Sequence, residues 1–139
     1  MTRLTIRVDF ANGAALGPGK IRLLELVAET GSIRKAAARM KMSYRQAWLL
    51  LKALKETFGE ALVETATGGK AGGGARLTLL GRFVVRRYRV LEKVATEAAA
   101  PSMVALRRRM VRLPRTKTPI GAGFVAESRR IALLKEKPP

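Results

Sequence analysis

Leu4, Ile6, Val8 and Phe10 alternate with Arg3, Thr5, Arg7 and Asp9. This two-residue period predicts a strand with one buried face. Asn12-Gly13 and Gly17-Pro18-Gly19 are turn signals that end it. Ile21, Leu24, Leu26, Val27 and Ala28 then recur at helical spacing from about Lys20 to Thr30, and Gly31 stands where a helix takes a C-terminal glycine. Ser32 can cap a second helix, on which Ile33, Ala36, Ala37 and Met40 share a face. Ser43 can cap a third, on which Ala47, Leu50, Leu51 and Leu54 repeat at i, i+3, i+4 and i+7 as far as Phe58-Gly59. Two capped helices this close in sequence must turn sharply, and the small Ala36 and Ala37 permit the close crossing that such a turn requires.

Leu62 to Thr65 reads as a short strand, Gly68 to Gly74 as a loop and Ala75 to Leu77 as the returning strand. Thr78 caps a last long helix expected to end near Ala100, ahead of Pro101. Its apolar positions Leu80, Phe83, Val84, Leu91, Val94 and Ala98 form a stripe through a surface carrying Arg82, Arg86, Arg87, Arg89 and Lys93. The fold class that follows is mainly α with a small β-sheet, a winged helix-turn-helix with a long C-terminal dimerisation helix. Residues 1–100 are expected to form this DNA-binding and dimerisation domain. Residues 101–139, with ten basic side chains against Glu127 and Glu136, read as a basic extension without sustained periodicity.

Composition sharpens the choice of partner. Twenty-eight lysines and arginines against ten acidic residues leave a net charge of +18 on 139 residues, which favours polyanions. The absence of cysteine and histidine excludes disulfides, zinc fingers, thiol nucleophiles and imidazole bases. The ten acids are scattered, so no carboxylate pair suggests a shared catalytic site, and the chain reads as a non-enzyme. No stretch approaches the roughly 20 apolar residues needed to cross a bilayer, so a cytoplasmic, nucleoid-associated protein is expected. The glycine-rich loop is not a nucleotide-binding loop, since Gly69-Lys70 is followed by Ala71 and the flanks are those of a hairpin.

A recognition helix must offer a polar N-terminal half to base edges while its apolar face holds it on its neighbours. Ser43, Tyr44, Arg45 and Gln46 supply that half here, and Lys52 lies two turns on where it can meet the DNA backbone. Ser32, at the start of the preceding helix, and Lys70 and Arg76 in the hairpin complete the candidate DNA-contacting set. Trp48 reads as an anchor between helices. The stripe Leu80, Phe83, Val84, Leu91, Val94 and Ala98 is the candidate dimer seam.

The run GSIRKAAARMKMSYRQAWLLLKAL, followed by LVETATGGKAGGGARLTLLG, resembles the N-terminal DNA-binding domain of the ModE family of molybdate-responsive regulators and, more distantly, the helix-turn-helix of LysR-type regulators. The resemblance covers about Leu4 to Ala100. It implies a bacterial, dimeric repressor or activator of transcription whose recognition helix is Ser43 to Phe58 and whose wing is Glu64 to Leu77. Full-length members carry molybdate-binding domains after this one, and the residues beyond Ala100 are too few for such a pair. No cofactor is therefore expected, and molybdate or another oxyanion would have only backbone amides at a helix N-terminus to bind. The rival reading from composition is a nonspecific nucleoid- or RNA-associated basic protein in which the tail dominates.

Overall fold

A computed structural model describes residues 2–66 and 74–111. The N-terminal run is extended, and exposure alternates along it as expected, but only Val8–Asp9 (β1) pairs, with Ala15–Leu16 (β2). The strand is shorter than its pattern because its partner is only two residues long. Asn12 Oδ1 accepts from the Ala14 amide at 3.0 Å and closes the turn, and helix α1 begins at Pro18.

Helix α1 spans Pro18–Thr30 and is the centre of the core: Ile21, Leu23, Leu24, Leu26 and Val27 are all buried. Gly31 ends it with φ +69°, its N–H donating to the Val27 carbonyl at 2.8 Å. Ser32 then caps α2 (Ile33–Arg39) by accepting from the Lys35 amide at 3.2 Å. Ala36 and Ala37 are fully buried, as a close crossing demands. The turn into α3 places Lys41 at φ +56°, a left-handed conformation uncommon for a residue with a side chain.

Helix α3 spans Tyr44–Phe58 and ends at Gly59, φ +77°. Ala47, Leu50 and Leu54 face the core, and Leu51 packs at its edge. Strands β3 (Val63–Ala66) and β4 (Gly74–Leu77) form an antiparallel wing with Glu64 opposite Arg76. The wing is joined to the helix-turn-helix through the Ala75 amide, which donates to the Gly31 carbonyl at 2.9 Å.

Thr78 caps α4 (Leu79–Arg109) by accepting from the Gly81 amide at 3.1 Å, while its hydroxyl donates to the Ala61 carbonyl at 2.8 Å. Two expectations for this helix need correction. It does not stop near Ala100 but continues through Pro101 to Arg109. Proline removes one N–H and crowds the preceding turn, yet at an exposed position water can serve the freed carbonyl, and three terminal arginines favour the negative end of the helix. The apolar stripe is also not one surface. Val84 belongs to the core together with Gly81 and Tyr88, and Leu80 packs against it, whereas Phe83, Leu91 and Val94 are exposed at 56%, 43% and 58% and Ala98 is exposed too.

Candidate nucleic-acid interface

The start of α3 is built by a capping box. Ser43 Oγ accepts from the Gln46 amide at 3.1 Å, and Gln46 Oε1 accepts from the Ser43 amide at 3.0 Å. Two candidate contact residues are thus first of all the clasp that holds the recognition helix. The Gln46 carboxamide N–H groups and the Ser43 hydroxyl proton stay available to a ligand acceptor. Arg45, beside them, is exposed and makes no ion pair among the described residues. Ser32 plays the equivalent capping part for α2.

Tyr44 is exposed, and the Arg34 guanidinium lies over its ring at 4.7 Å. Arg34 comes from α2 and is absent from the set read off the sequence. The signal that finds it is the packing of α2 on α3, because ten residues of sequence separate the pair. One turn along α3, Lys52 Nζ lies 5.5 Å from the centre of the Trp48 ring. Trp48 is half-buried and stands outside the core cluster. Its indole faces a cleft of about 620 Å³ between α3 and the wing, lined also by Tyr44, Lys52, Lys55 and Thr65.

On the wing, Arg76 pairs with Glu64 at 2.8 Å across the two strands, with both side chains at least half exposed. Lys70, the other wing cation expected to meet DNA, lies outside the described residues. Arg89 is drawn out of any phosphate-binding row on α4. Its Nε and Nη2 donate to both Glu25 oxygens at 3.1 and 2.6 Å, and its Nη1 donates to Glu92 at 2.8 Å. The hydrogen bonds that Arg89 donates to Glu25, more than the partial burial that opposes them, raise the pKa of this guanidinium further. Arg82, Arg86 and Arg87 remain exposed.

The strand pair, three packed helices with a tight turn, wing and long helix define a winged helix-turn-helix domain. Residues 19–82 match the family described as bacterial regulatory helix-turn-helix protein, lysR family. Over 92 residues the chain is 39% identical to the molybdenum transport protein ModE of Azotobacter vinelandii, covering 66% of this chain and 33% of that protein. It is 33% identical over 97 residues to the transcriptional regulator ModE of Haemophilus influenzae (70% and 38%). With the DNA-binding transcriptional dual regulator ModE of Escherichia coli K12 it shares 38% identity over 81 residues (58% and 31%). The chain spans about a third of the length of the curated relatives it matches. Among solved structures, the crystal structure of the CbnR_DBD-DNA complex has the same fold, with a TM-score of 0.50 and 24% identity, covering 63% of this chain and 95% of that one. The resemblances read from the recognition-helix and wing motifs therefore hold as similarities: the N-terminal part of this chain matches the LysR-type helix-turn-helix model and is similar to the N-terminal third of ModE regulators. Among the described residues, no helix is long and apolar enough to cross a membrane.

Proposed function

We propose that this protein is a sequence-specific DNA-binding transcription regulator that acts as a homodimer on a pseudopalindromic site. The observation that carries the reading is the N-terminal half of α3. It is clasped rigidly by its capping box, exposed, and composed of Ser43, Tyr44, Arg45 and Gln46, which offer donors to the acceptor edges of purines in a major groove. In this reading Ser32, Arg34 and Lys52 meet phosphate beside it, and Lys70 and Arg76 make the wing's contribution. Phe83, Leu91, Val94 and Ala98 on α4 supply the face on which a second copy packs, setting two recognition helices roughly one helical turn of DNA apart or a multiple of it. The likeness to ModE regulators supports transcription control in the bacterial cytoplasm.

The test is selection of random duplex DNA by the purified chain at near-physiological salt, since salt sets how much binding is independent of sequence. An enriched, roughly symmetric motif is the expected result. Tight binding without an enriched motif would instead favour a nonspecific nucleoid- or RNA-associated protein.

A further inference from the structure

Trp48 is the only tryptophan in the chain, and its position is hard to account for by folding alone. It is a large side chain, half-buried, outside the core, and its indole N–H makes no hydrogen bond to another described residue and is open to solvent. The ring forms one wall of the cleft between α3 and the wing, whose other wall includes Val63 and Thr65 of β3. Tyr44 lies one turn before it on the same face of α3, so two rings stand in register, each covered by a cation: Arg34 over Tyr44 and Lys52 over Trp48. Lys55 stands at the edge of the same cleft, where Glu56 is the carboxylate among the lining residues.

An apolar and aromatic wall edged by cations suits a ligand with an apolar ring face beside a negative charge, repeated along a chain. The deoxyribose-phosphate strand of a DNA duplex has that chemistry. Resting on the DNA-binding reading above, we infer that the cleft between α3 and β3 seats one sugar-phosphate segment of the bound duplex, with Trp48 packed against the sugar. In the free protein Lys52 covers the indole. On binding, Lys52 moves from the ring to a phosphate, Lys55 meets the next one, and the sugar takes the place over the ring. Trp48 is then a contact residue that positions the backbone between the recognition helix and the wing, distinct from the base-reading residues at the start of α3.

The single tryptophan makes its own probe. The full chain is titrated with a short fluorescein-labelled duplex at low salt, reading anisotropy of the label for binding and tryptophan emission, with acrylamide quenching, for the cleft. The expected result is that emission shifts and acrylamide protection appear over the same DNA concentrations as the anisotropy rise. Trp48→Ala weakens binding roughly tenfold and Trp48→Phe roughly threefold or less, as loss of an aromatic contact predicts. Anisotropy that rises while emission and quenching stay unchanged overturns the cleft assignment and leaves the DNA-binding reading standing. Anisotropy that never rises overturns both. If Trp48→Ala fails to fold, protection of the native indole from acrylamide decides the matter without it.

Discussion

The hydroxyl of Tyr88 on α4 donates to the backbone carbonyl of Ile6, 82 residues earlier, at 2.7 Å. Tyr88 is buried at 2% exposure, so this bond both satisfies the phenol and fastens the N-terminal run across the domain. Burial first, and the charge of Glu92 second, raise the tyrosine's pKa against the opposing pull of Arg89 and Arg3.

The folded chain consequently keeps a proton that the unfolded chain releases near pH 10. The stability contributed is complete below that pH and falls as pH rises through the folded value. Tyr88→Phe is expected to lose about 1 kcal/mol at neutral pH. It should also show a flatter decline of denaturant midpoint above pH 10 than the unchanged protein.

Gly81 sits against the Leu62 carbonyl so closely that an added Cβ would overlap the oxygen. Alanine ordinarily favours a helix by about 1 kcal/mol over glycine. Here the clash is with backbone that Thr78 also holds, so Gly81→Ala is expected to destabilise by about 2 kcal/mol net, measured by urea denaturation.

Ser43 has two roles that substitution can separate. Ser43→Ala removes the cap and should cost about 1 kcal/mol of stability. Ser43→Asp keeps a capping oxygen, so its melting temperature should stay near that of the unchanged chain. Its new negative charge at the helix end proposed to face DNA should nevertheless weaken duplex binding at low salt. Equal DNA affinity for the Asp variant would place this helix end away from DNA.

The wing carries a built-in brake on its own charge, because Glu64 shares Arg76. An exposed pair of this kind contributes little to stability, roughly 0 to 1 kcal/mol. Glu64→Gln should leave the melting curve nearly unchanged while tightening DNA binding and steepening its dependence on salt. A fall in affinity would mean that Glu64 orients Arg76 productively.

Val94 is 58% exposed on the free face of α4. If the proposed dimer forms through this face, the unchanged chain should sediment as a dimer and Val94→Glu as a folded monomer, with weakened binding to any symmetric site that selection finds. A variant that still dimerises would move the seam elsewhere on the molecule.

The order of elements and nearly all helix boundaries follow from signals local to the chain. Ser32, Ser43 and Thr78 cap amides three residues on, and Gly31 and Gly59 close helices through left-handed turns, so each signal lies within a few residues of its effect. The recognition helix and wing were legible for the same reason, as was the polar set that opens α3. Tertiary structure decided what depends on how elements dock. It put Val84 and Tyr88 in the core and left Phe83 and Val94 outside, carried α4 past Pro101, and bound Arg89 to Glu25. It also laid Arg34 over Tyr44 and set Trp48 along the cleft between α3 and the wing. An apolar period states that a helix has a buried side, but the angle at which its neighbours cross it selects the residues covered. Contacts between side chains far apart in sequence exist only once those angles are set.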